Sequence, residues 1–222
     1  GRPQEEYSKE EYFSLLAVVF QDVKLLPMTI AQNVASDVGT NIDRERVREC
    51  LKLSGLWQKV SSLPKKEDTP LGASILDDGI ALSGGENQKL WMARALYKNA
   101  PMLLLDEPTA GQDFRHYTEI MEFLRKLNEQ GVTIIMITHD MHLMLEYTDR
   151  AIVIADGELI ADDKPAKVLT DEAVADRAYL KKTSLYDLAV RCGIGDASGF
   201  AERFIYYERQ VRADGGQNSD VQ

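Results

Sequence analysis

The chain has 222 residues, 44% hydrophobic and 28% charged, with a net charge of −10. That length supports one large domain or a domain and a half, and the acid excess argues against nucleic-acid binding as the main function, because phosphate backbones are held by clustered Lys and Arg. The longest apolar runs, 15–20 and 132–137, are far too short to cross a bilayer, the polar first residues do not read as a signal peptide, and Cys50 and Cys192 match no metal spacing and read as reduced thiols.

In chain order, residues 1–14 are polar and read as a surface segment. The valine-rich run 15–20 reads as a buried strand ending at Gln21-Asp22. Residues 29–36, after Pro27, suit a short helix. Residues 43–53 suit a longer one, with Asp43 as cap, Val47 and Leu51 on one face and Gly55 at the end. Residues 61–81, with Pro64, Pro70, Gly72 and Gly79, read as loop. A helix is predicted over 84–97 and a strand over 102–105. A helix follows over 114–130, stopped by Gly131, then a β-branched strand over 132–138 and a helix over 140–147. This alternation predicts a parallel α/β sheet. Asp156-Gly157 between two apolar runs signals a hairpin. Residues 165–192 read as mostly helical and 193–199 as a break. A last helix is predicted over 200–213, with Phe200, Phe204, Tyr207 and Val211 on its packed face. The tail after Asp214 reads as disordered.

Two segments carry chemistry. In the run MLLLDEPTAG, starting at Met102, four apolar residues fit a central strand buried on both faces. Such a strand delivers its last side chains to the carboxyl edge of the sheet, where α/β proteins bind ligands. Asp106 is placed there to hold a magnesium ion and Glu107 to polarise an attacking water. A bare Asp-Glu pair is most often a solvated acidic turn; the apolar run before it and Pro108-Thr109 after it favour the metal-and-base reading. The second segment is Leu82-Ser83-Gly84-Gly85-Glu86. Ser83 offers a hydroxyl at a helix start, and two glycines let backbone N–H groups approach an anion. Leu90, Ala93, Leu96 and Tyr97 follow at core spacing. His116 reads as a surface helix residue, and a His139–His142 metal pair has no further ligand nearby.

Five motifs in one order resemble the nucleotide-binding domain of ATP-binding cassette (ABC) proteins over roughly residues 15–165. LSGGE is similar to the signature motif, MLLLDEP to the Walker B strand, and Ala110-Gly111-Gln112-Asp113 to the D-loop. Ile137-Thr138-His139-Asp140 is similar to the switch-histidine motif and Val19-Phe20-Gln21-Asp22 to the Q-loop. The resemblance implies an α/β fold: an incomplete P-loop NTPase-type ATPase core, a helical signature subdomain and a mostly helical C-terminal extension. It implies ATP and Mg²⁺ as cofactors. Glu107, His139 and Gln21 would be catalytic, with Gln21 and Asp106 on the metal. Ser83, Gly84, Gly85, Glu86 and Asp113 would face an ATP carried by a second ABC domain paired head to tail. Transmembrane transporter subunits would be the other partner, and the site of action the cytoplasmic face of the cell membrane.

The sequence departs from the family in one respect: it holds no G-x-x-x-x-G-K-[ST] loop and no Gly-Lys pair at all. The resemblance therefore implies a later part of a longer ATPase, inactive alone, in which Tyr7 and Tyr12 are poor candidates for stacking on adenine. The front half resembles exporter cassettes. From about Gly111 the chain is similar to importer ATPases of the energy-coupling-factor (cobalt or vitamin) kind, as in a natural mosaic, a fusion or a separate subfamily. The expected parts are 1–14, 15–100 with the Q-loop and signature, 101–168 with Walker B, D-loop and switch histidine, and 169–222 as an accessory extension. The alternatives are a soluble ABC ATPase of DNA repair or translation, disfavoured by the acid charge, and a non-catalytic regulatory fragment.

Overall fold

The computed structural model describes the chain except residues 1, 2, 21–24, 40, 74, 77 and 217–222. It divides into two units, Gly1–Ile137 and Thr138–Gln222, a boundary that falls inside residues 101–168.

The first unit opens on a helix, α1 (Lys9–Ser14), over residues read as a plain surface segment. Its signal is a capping box: the Ser8 hydroxyl accepts the Glu11 N–H at 3.1 Å and the Glu11 carboxylate accepts the Ser8 N–H at 2.9 Å. The helix buries no residue, so local capping rather than packing shapes it. Strand β1 (Leu16–Val19) follows. Then come α2 (Ile30–Ala35), α3 (Arg44–Leu53), α4 (Trp57–Ser61) and α5 (Gly84–Lys98), capped by Thr29, Asp43, no side chain and Ser83 respectively. The helix α4 lies just ahead of the loop reading for 61–81 and was not foreseen.

Helices α2 and α3 pack on α5 around Ile30, Val34, Val47, Leu51, Leu90 and Ala93, each 1% exposed or less. Leu51 is fully buried at the centre, so Leu51→Ala is expected to lower stability by about 2–5 kcal/mol in urea unfolding. A loss under about 1 kcal/mol would mean the site collapses around the smaller side chain. Buried Asn33 ties the entry loop to α2: its side chain donates to the Leu26, Met28 and Thr29 carbonyls and accepts the Leu26 N–H.

Glu67 is a further buried polar anchor, its side chain 3% exposed against Arg48 at 2.6 Å. Burial pushes its carboxyl up, but the Arg48 hydrogen bond, the backbone and the Arg48 charge outweigh that and hold it below its ordinary value. A depressed carboxylate stabilises the fold fully above the unfolded glutamate range, about pH 4.3, and less as pH falls through the folded value. Urea unfolding of Glu67→Gln is therefore expected to lose less stability between pH 7 and about pH 3.5 than the parent. Equal losses would remove Glu67 from the acid response.

Strands β2 (Met102–Asp106) and β3 (Thr133–Ile137), joined by α6 (Phe114–Glu129), complete a parallel sheet of order β1-β2-β3. Asp106 lies in register with Ile137. Strand β2 is central, as expected, but is not buried on both faces. Ala17, Val19, Leu103 and Leu105 are buried on the side that α5 and α6 cover, whereas Val18, Ile135 and Ile137 on the other side are 38–55% exposed.

The second unit contains α7 (Met141–Tyr147) and a hairpin of β4 (Ala151–Ala155) and β5 (Glu158–Asp163). The turn residues Asp156 and Gly157 have φ of 51° and 76°, the left-handed pair that a two-residue type I′ turn requires. Helices α8 (Pro165–Thr170), α9 (Glu172–Arg177), α10 (Ser184–Arg191) and α11 (Ala197–Gly216) follow. Helix α11 continues past Asp214, the expected start of a disordered tail; residues 217–222 lie outside the described ones. Its packed face also differs from the expected aromatic one. Ala201 and Ile205 are buried with Leu145, Leu169 and Leu185, and Phe200 is half-buried beside them, while Phe204, Tyr207 and Val211 are 41–70% exposed. The small side chain lets α11 approach its neighbours closely, and the bulky face turns outward.

Candidate functional site

The signature turn is the first turn of α5. Ser83 Oγ accepts the Glu86 N–H at 3.2 Å and a Glu86 carboxylate oxygen accepts the Ser83 N–H at 2.9 Å, a full capping box. Glu86 is thus engaged in its own turn, with Lys59 at 3.7 Å from its other oxygen. The Ser83 hydroxyl accepts in this box and keeps its proton to donate. Gly84 and Gly85 sit at the next two positions with no left-handed φ. A Cβ on Gly84 would meet nothing within 4 Å, and one on Gly85 only the His116 ring at 3.7 Å. Gly79 is different: a Cβ there would strike the Gly72 backbone at 2.9 Å. The chain's own packing explains Gly79 and not Gly84. Both signature glycines lie in the first turn of α5, where backbone N–H groups have no intrahelical partner and no side chain at 84 or 85 shields them.

At the carboxyl end of β2, Asp106 is half-buried, and its carboxylate has no hydrogen-bond or ion-pair partner among the described residues. No three His, Cys, Asp or Glu side chains among the described residues cluster as a metal cage. A lone acceptor carboxylate at a sheet edge suits magnesium, which takes one or two carboxylates and completes its shell with phosphates and water. Glu107 follows in the left-handed region, φ 46°, with its N–H donated to the Ile137 carbonyl at 2.9 Å. A non-glycine residue held there stores on the order of 1–3 kcal/mol, a cost that clusters at functional sites. The chain then turns through Gly111, φ 69°, to Asp113.

Asp113 caps α6. One carboxylate oxygen accepts the His116 N–H and the other faces His116 Nδ1, both at 2.9 Å. The His116 backbone donor first, then its ring, hold the Asp113 carboxyl below its usual range. The signature helix touches this same segment: Gln88 Nε2 donates to the Pro108 carbonyl, and Lys89 lies 3.5 Å from Glu119 on α6. The structure therefore brings the signature turn, the β2 carboxylates and Asp113 into one unit. His116 lies at the surface of α6, as expected, and the pairing of its ring with Asp113 is what the Asp-x-x-His spacing allows.

His139 belongs to the second unit. It is exposed in the bend before α7, where Thr138 Oγ accepts the Asp140 N–H at 3.0 Å and the Asp140 carboxylate caps α7 by accepting from His142 and Leu143. Gln21 lies outside the described residues. Both cysteines are free, and no helix among the described residues is long and apolar enough to cross a membrane.

The chain is similar to known proteins in both sequence and fold. The family model described as ABC transporter matches residues 1–110. A Clostridium perfringens protein named as an ABC transporter ATP-binding protein is 49% identical over 169 residues, 76% of this chain and 27% of its own length. A similarly named Enterococcus faecalis protein is 54% identical over 132 residues, 60% of this chain and 23% of its own. The solved structure of a bacterial Atm1-family ABC exporter with ATP bound superposes with TM-score 0.62 at 28% identity, over 77% of this chain and 29% of that one. The chain thus spans about a quarter of the length of the curated relatives it matches. The match over 169 residues necessarily includes residue 111, where the exporter-like and importer-like resemblances meet.

Proposed function

We propose that the chain, whose residues 1–110 match the ABC transporter family model, is the signature and Walker B portion of a subunit that binds and hydrolyses ATP to drive transport. The observation that carries this reading is the glycine turn opening α5, where a Cβ on Gly84 would meet nothing within 4 Å. Ser83, Gly84 and Gly85 would meet the γ-phosphate of an ATP carried by a second ABC domain, through the serine hydroxyl, the backbone N–H groups and the positive end of α5. Glu86 would support that turn from within. Asp106 would hold the magnesium, helped by Gln21. Glu107 would accept a proton from the attacking water, His139 would keep that water and the terminal phosphate in place, and Asp113 would face the partner domain. Magnesium ATP, when bound, would supply the phosphoryl group to be transferred, and its metal would offset the phosphate charge.

Closure on ATP and reopening after hydrolysis would be passed to membrane-spanning partners at the inner face of the membrane, through the loop after Gln21. Crosslinks from residues 24–29 are expected to reach a membrane subunit in the assembled transporter; crosslinks confined to other surfaces would count against that contact. Residues 1–222 alone contain no G-x-x-x-x-G-K-[ST] loop, whose N–H groups and lysine cradle the phosphates. An ATPase assay of these residues alone is expected to give no turnover, and robust turnover would overturn the division of labour proposed here.

A further inference from the structure

One side chain outside the recognised motifs joins two of them. The Asp113 carboxylate can only accept, so the hydrogen in the 2.9 Å contact sits on His116 Nδ1. That fixes the ring and turns its other edge to the signature. His116 Cδ2 and Nε2 lie 3.7 and 3.8 Å from where a Cβ on Gly85 would stand. The half-exposed ring thus lies between the capping residue of α6 and the second signature glycine. A second tie runs parallel, from Gln88 on the signature helix to the carbonyl of Pro108, next to Glu107.

We infer that His116 is a positioning residue that locks the turn over 107–113 to the signature turn. The inference rests on the proposed ATPase reading and deepens it. In a head-to-tail pair the signature of one chain serves one nucleotide and the carboxylates of the same chain serve the other. A lock between them makes the two sites of a pair respond together. His116 touches no reacting atom in this scheme; it acts through Asp113 and Gly85.

The test uses the assembled transporter in lipid vesicles with ATP as the probe, comparing wild type, His116→Ala, Asp113→Ser and the double variant. Serine at 113 can still cap α6 but cannot reach the ring. If His116 and Asp113 act as one lock, each single variant lowers kcat on the order of tenfold with KM changed by less than about twofold, and the double variant is no worse than the poorer single one. Unchanged kcat in His116→Ala, or losses that multiply in the double variant, would overturn the lock. Turnover that is absent in wild type, or indifferent to Glu107→Gln, would overturn the ATPase reading and the lock with it.

Discussion

Glu107→Gln is expected to abolish ATP turnover by the assembled transporter while leaving nucleotide binding intact. The amide has the shape of the carboxylate but cannot take a proton, and a positioned base is worth about 10²–10⁴-fold in rate. The backbone at 107 is set from outside the side chain: φ is 46° and the N–H is donated to Ile137 at 2.9 Å. Glutamine bears the same left-handed cost as glutamate, so the substitution changes the chemistry and not the turn. Steady-state hydrolysis and equilibrium nucleotide binding, measured on the same preparation, separate the two. Unchanged hydrolysis would remove Glu107 from the base role; lost binding would mean that its charge serves the ground state.

Gly84→Glu is expected to raise stability and destroy function together. A Cβ at 84 enters open space, glutamate is a better helix former than glycine, and a negative charge suits a helix N-terminus. The gain is about 0.5–1 kcal/mol. The same carboxylate would stand where a γ-phosphate must dock. Two unit charges about 4 Å apart at an effective dielectric of ~20 repel by about 4 kcal/mol, close to a thousandfold in affinity. ATP-dependent pairing and turnover should therefore be lost in a protein that unfolds at higher urea. A variant that is destabilised would show that Gly84 serves the fold after all, and one that stays active would show that no anion approaches it.

The motifs and most elements were legible because short-range chemistry dictates them. Asp43, Ser83, Asp113 and Asp140 each precede an apolar periodic run, and each caps a helix. Asp156-Gly157 makes its hairpin turn because those residue types tolerate left-handed backbone. Ser8 and Glu11 form the same capping signature in the surface segment 1–14, and it starts a helix there. The packed face of α11 was not legible in the same way. Its helical period holds Phe200, Phe204 and Tyr207 on one stripe and Ala201 and Ile205 on the next, and size alone selected the wrong one.

The sequence by itself determined the chemistry: which residues accept protons, which offer bare N–H groups, and in what order they follow, because reactivity belongs to side-chain type and local spacing. Only the tertiary structure decided which of them meet. It set Glu107 in a strained backbone against Ile137, left the first signature glycine open on its outer side, and seated His116 between Asp113 and Gly85. Those are contacts between segments brought together by burying Leu51, Leu90 and Leu103, and such contacts depend on the packing of the whole unit rather than on any run of neighbouring residues.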